Sequence, residues 1–124
     1  AFLVYDINSE LSFQALEFWV DTIRKVSSDD TVIYLVGNKS DLALEDRNMR
    51  RVSKSSAIEF VNKHNLCHWT ECSARNNINI KDTFRSFYKR IYAVQKYKLE
   101  EKTKNMKKLI VDSSLSVEPR SKCC

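Results

Sequence analysis

Val36-Gly37-Asn38-Lys39-Ser40-Asp41-Leu42 is the stretch that decides how this chain folds. The apolar run from Val32 to Val36 reads as a buried strand, and it breaks at the only glycine among 124 residues. The turn that follows carries an amide (Asn38), an ammonium (Lys39) and a carboxylate (Asp41). At the carboxyl end of a strand in an open α/β sheet, this is where ligands sit. Asp41 brings two acceptors for neighbouring N–H donors, Asn38 a donor and an acceptor, and Lys39 a long apolar stem. Such a set suits a flat heterocycle with two adjacent donors on one edge, which describes guanine. Adenine presents the opposite polarity there and would leave the carboxylate unpaired.

Working outward, Ala1 to Asp6 reads as a second buried parallel strand. Ser9 is placed to cap a helix carrying Leu11, Phe13, Leu16, Val20, Ile23 and Val26 at three-to-four spacing, closed by the polar Ser27-Ser28-Asp29-Asp30. Asn38 to Met49 reads as a charged loop. Ser53 caps a helix to about Lys63 with Ala57, Phe60 and Val61 inward, and Cys67 to Glu71 makes a third strand. A last helix from Ile78 to about Lys98 lines up Ile80, Phe84, Phe87, Ile91 and Val94. Strand and helix alternating three times imply a parallel sheet with right-handed crossovers. Beyond Leu99 the sequence thins into Lys, Glu, Ser and one Pro, so residues 1–98 read as the folded part and 99–124 as a flexible tether. Lys and Glu are good helix formers, and the helix has room to continue toward Lys108.

Charge separates the same two parts. Residues 1–95 hold 13 basic and 12 acidic groups, whereas 96–124 hold 8 and 4. The near-neutral folded part offers no basic face with interleaved aromatics, so nucleic acid is not expected as a partner. A basic tail points instead to anionic membrane surfaces. No apolar run reaches the roughly 18 residues of a membrane span. Four cysteines, two of them terminal, form no secreted disulfide framework and point to a reducing cytosolic setting. His64, Cys67, His68 and Cys72 are metal-ligand types but fit no regular zinc spacing, so no metal site is assigned.

Four blocks, in order, carry a family likeness: Leu3-Val4-Tyr5-Asp6-Ile7, Asn38-Lys39-Ser40-Asp41-Leu42, Glu71-Cys72-Ser73-Ala74-Arg75, and Cys123-Cys124. The chain resembles the C-terminal half of a Rab-type small GTPase of the Ras superfamily. Arg50-Arg51-Val52-Ser53 fits as well. The resemblance runs from Ala1 to about Tyr97, with the remainder alike only in character. It implies a three-layer parallel-sheet P-loop GTPase fold, here with its last three strands and helices plus a flexible tail. It assigns Asn38, Lys39 and Asp41 to the guanine-specificity loop. Ser73 then supports Asp41 by a hydrogen bond, and the Ala74 N–H donates to the guanine carbonyl oxygen. Arg75 stands where the family usually has lysine, and its guanidinium can stack over a ring. Cys72 replaces the usual threonine and reads as a small buried filler.

Other family parts are missing from the sequence. A phosphate-binding loop G-x-x-x-x-G-K-[ST] needs two glycines where this chain has one, and there is no Asp-x-x-Gly and no following glutamine. The chain therefore reads as a fragment with no catalytic residues. GTP or GDP is the implied cofactor, with Mg2+ for the complete domain only. Without the missing half, the Ala1–Asp6 strand is an apolar edge prone to aggregation.

Cys123 and Cys124 resemble the family's double geranylgeranylation site rather than a C-a-a-X box, since Ser121 stands fourth from the end. Two lipid chains anchor stably where one does not. The resemblance further implies exchange factors, activating proteins, effectors, an escort protein and a dissociation inhibitor as partners in vesicle traffic. It places the protein on the cytoplasmic face of an intracellular membrane, with a cytosolic pool. The alternative is a lipid-anchored interaction module that acts without nucleotide.

Overall fold

The computed structural model describes residues 1–115; residues 116–124, which include Cys123 and Cys124, lie outside the described residues. The first compact unit, Ala1–Arg90, is built on three parallel strands in the order β1 (Phe2–Asp6), β2 (Tyr34–Asn38) and β3 (His68–Glu71). Leu3 pairs with Leu35, and Leu35 with Trp69, so these side chains share one face. Phe2, Tyr34 and His68 pair on the other. This is the α/β parallel sheet that the alternating pattern implies.

The first face is the better covered. Helices α2 (Leu16–Val26) and α4 (Lys54–Lys63) supply Leu16, Val20, Ala57 and Phe60 to a core with Leu3, Tyr5, Ile7, Ile33 and Leu35, and Phe13 of α1 (Glu10–Gln14) packs against it. Burying a side chain such as Leu35 fully is worth roughly 1.5–3 kcal/mol. Ser9 and Ser53 cap their helices as expected, their side chains accepting from Ser12 N and Ser56 N. The opposite face receives the start of α5 (Ile80–Leu115), where the Phe87 ring sits 4.2 Å from that of Phe2 and Tyr34 OH donates to Ser86 O at 3.2 Å.

Four boundaries differ from the sequence reading. The helix capped by Ser9 is two helices jointed at Ala15, and Leu11 and Val26 are exposed. The second strand runs through Gly37 to Asn38, because Asp6 at the end of β1 takes Asn38 as its ladder partner. The supposed loop from Asn38 to Met49 contains a short helix α3 (Ser40–Glu45) and a 3₁₀ turn (Arg47–Met49). Finally, α5 does not give way to a tether after Lys98. It continues to Leu115, since no Gly or Pro interrupts a run rich in Lys, Glu, Gln and Leu. The second unit begins at Ile91 and, among the described residues, consists of this helix.

Candidate functional site

Two loops leave the carboxyl ends of β2 and β3 side by side because their strands are neighbours. Backbone bonds join them: Cys72 N donates to Gly37 O at 2.8 Å, and Ser40 N to Cys72 O at 3.1 Å. Gly37 is required here by close packing. A Cβ on it would lie 2.7 Å from Ile7 Cγ2 and 2.9 Å from the Tyr5 hydroxyl.

The side chains complete the junction. Asp41 is buried, and Ser73 Oγ, itself buried, donates to its Oδ1 at 2.7 Å. A buried carboxylate needs such a donor, and bonds to a charged acceptor are the stronger kind. Ser73 Oγ also accepts from Asn76 N at 3.0 Å, which fixes the loop after β3. The Ala74 N–H donates to Asn38 Oδ1 at 3.0 Å, so the donor assigned by resemblance to a guanine carbonyl is engaged within the protein. Asn38, Lys39, Asp41, Leu42 and Arg75 line a cavity of about 280 Å³. Five of the six residues singled out from the sequence thus line the cavity or bond directly to a residue that does through their side chains, and Ala74 joins them through its backbone.

Lys39 departs from a simple surface position. Its backbone is left-handed, with φ 66°, a conformation that costs a non-glycine residue roughly 1–2 kcal/mol. Asn8 Nδ2 donates to Lys39 O at 3.2 Å, and Lys39 Nζ meets Asp6 Oδ2 at 2.7 Å. Partial burial pushes the Asp6 carboxyl pKa up, but bonds from Lys39 and Asn8 together outweigh it and hold it below the usual value. The same pairing raises the Lys39 ammonium. Asp6 and Asn8 escaped the sequence reading as site residues. Their only signal was position, at the carboxyl end of the neighbouring strand.

A second tie lies below the cavity. Arg50 forks onto Glu71, Nη1 to Oε1 at 2.7 Å and Nη2 to Oε2 at 2.9 Å, and that bond raises the guanidinium pKa further. Cys72 is buried, and burial pushes its thiol up. Among the described residues no three His, Cys, Asp or Glu side chains converge as metal ligands, and no helix is long and apolar enough to cross a membrane.

With this geometry in view, the likeness to known proteins is specific. Residues 1–93 match the model of the Ras family, and the chain belongs to that family. Within it, the chain is of the Rab type of small GTPase. It is 37% identical over 94 residues to Ras-related protein Rab-11A of Dictyostelium discoideum, covering 76% of this chain and 42% of that protein. Ras-related protein RABA6b of Arabidopsis thaliana is 34% identical over 103 residues, 80% of this chain and 41% of its own length. Ras-related protein Rab-2B of Dictyostelium discoideum is 40% identical over 84 residues, 68% and 39% respectively. The chain spans about two fifths of the length of these relatives.

Proposed function

We propose that this chain carries the guanine-recognising part of a Rab-type GTPase that regulates vesicle-mediated protein transport. The observation that carries the reading is the cavity beside β2, where Ser73 steadies the buried Asp41 and Lys39 and Arg75 form the rim. Asp41 accepts from the guanine ring N–H and exocyclic amine, and Lys39 and Arg75 lay their stems and planes along the ring. Asn38 braces the second loop through Ala74. GTP and GDP are the nucleotides of the complete protein, and magnesium belongs to its phosphate side. Among the described residues no acidic cluster fits a magnesium site, so no hydrolytic step is assigned to them. Exchange factors, activating proteins, effectors, an escort protein and a dissociation inhibitor are the corresponding partners. Geranylgeranyl groups on Cys123 and Cys124 hold the protein to the cytoplasmic face of an intracellular membrane.

Base recognition without phosphate contacts is weak, since each neutral hydrogen bond nets about 1 kcal/mol. The dissociation constant for the chain alone is expected near ~1 mM or above. Amide NMR during titration with guanosine monophosphate tests this. The expected result is a shift of the Asn38–Leu42 and Ser73–Arg75 amides, absent with adenosine monophosphate and lost in Asp41→Ala. Equal responses to both nucleotides would overturn the reading.

A further inference from the structure

The second half of α5 carries apolar side chains that the guanine site does not use. Leu99, Met106, Leu109 and Ile110 are each more than 60% exposed, as is Tyr92. At about 100° per residue, Tyr92, Leu99, Met106 and Ile110 fall within about 40° of one another around the axis, and Leu109 lies about 60° beyond Met106, on the far side of Lys102. Lys96 and Lys107 border this stripe on one side and Lys102 on the other. Glu100, Glu101 and Asp112 lie roughly 80° or more away, where Glu101 accepts from Tyr97 OH at 2.8 Å. Residues 91–115 hold six lysines against three acidic residues.

We propose that residues 91–115 form a helix that lies in the plane of an anionic bilayer, with Tyr92, Leu99, Met106 and Ile110 in the acyl boundary. Four exposed apolar side chains share one side with lysines along both its borders, as an interfacial helix requires, while Tyr97 and Val111 lie elsewhere around the axis. The lysines extend to headgroup phosphates while their stems stay on apolar surface. Tyr92 adds an amphipathic ring suited to the interface. A second copy of the helix is the poorer occupant. A heptad with Tyr92, Leu99 and Met106 at its first position puts Gln95 and Lys102 at two of the three facing positions, which breaks a coiled-coil seam. A spanning orientation is excluded by the charge along the helix.

The proposal needs neither the guanine site nor the terminal lipids, and the test separates it from both. The full chain with Cys123→Ser and Cys124→Ser is floated with vesicles of phosphatidylcholine alone or of phosphatidylcholine with phosphatidylserine. Flotation separates bound protein, which rises, from aggregate, which sinks. The expected result is flotation with the anionic vesicles only, weakened by salt. Leu99→Ser with Ile110→Ser abolishes it, and Lys102→Glu reduces the partition coefficient about tenfold. Both changes are on exposed positions and leave the guanosine monophosphate response as it is. No flotation, flotation indifferent to lipid charge, or flotation unchanged by the double serine variant overturns the proposal. So does a lipid-independent dimer, by sedimentation equilibrium, that the same double variant dissolves.

Discussion

The two faces of the three-stranded sheet are made from the same strands but are covered to very different degrees. Leu3 and Leu35, on the face under α1, α2 and α4, are 5% and 0% exposed. Val4, one residue along β1 and therefore on the opposite face, is 57% exposed, and Phe84 beside it is 59% exposed. Strand pleating alone turns neighbouring residues to opposite sides. What differs is the cover: three helices on one face, and the first turns of α5 on the other. Two cavities border β1, one lined by Val4, Val36 and Phe84 among others, the other by Leu3, Val4 and Trp19 among others. Burial energy is therefore concentrated on one side, and the outer edge of β1 has no strand partner among the described residues.

That contrast sets the sizes of the expected mutational effects. Leu35→Ala should cost about 2–5 kcal/mol in urea unfolding, whereas Val4→Ser should stay within roughly 0.5 kcal/mol and reduce aggregation measured by light scattering. Equal costs would mean that the faces are not as unequal as they look. Gly37→Ala drives a methyl group into Ile7 and the Tyr5 hydroxyl from the covered side, and should cost about 1–3 kcal/mol. Tyr5, on that face, donates no charge to the core at neutral pH. Burial pushes its phenol up to about 12, against the opposing pull of the Trp69 indole N–H. Because the folded pKa is raised, this group's stability is complete below its ordinary value of 10.0 and is lost as pH rises through about 12. Unfolding followed by circular dichroism across that range should lose its pH slope in Tyr5→Phe.

The smallest effect belongs to the strand end. Asp6 has a lowered pKa, so its contribution is present above the ordinary value of 3.8 and fades as pH falls through the depressed one. Asp6→Asn should flatten the acid limb of the unfolding curve slightly and leave neutral stability nearly unchanged, because the Lys39 side chain it pairs with is 55% exposed.

Much of this was readable from residue order. Hydrophobic runs bounded by Gly37 and by Ser9 and Ser53 placed three strands and two helix starts, because those signals are local. The pair of loops was legible for the same reason, Asn38 to Asp41 and Ser73 to Arg75 each being contiguous. What escaped depends on partners distant in sequence. The Lys39–Asp6 pair exists because parallel strands bring their ends together, and the Arg50–Glu71 fork because the segment before α4 folds back onto the sheet, where Arg51 N and Val52 N donate to Ile7 O. Helix α3 escaped because Ser40 to Glu45 looks charged and loop-like, yet a left-handed Lys39 starts a turn that good helix formers continue. The joint at Ala15 has neither proline nor glycine to announce it, and the structure offers no local physical cause. The length of α5 escaped through weighting polarity over the absence of any breaker.

The bond between Ser73 and Asp41, and the one between Ala74 and Asn38, lie wholly within the protein. The side chains of Asn38, Asp41 and Ser73 are thus held by partners inside the protein, and their rotamer entropy was already spent during folding. On the proposed guanine reading, only the exposed arms of Lys39 and Arg75 would remain to be immobilised on binding. Differences in grip among relatives of this type should accordingly trace to those two outer side chains, while the inner pair behaves as a rigid template.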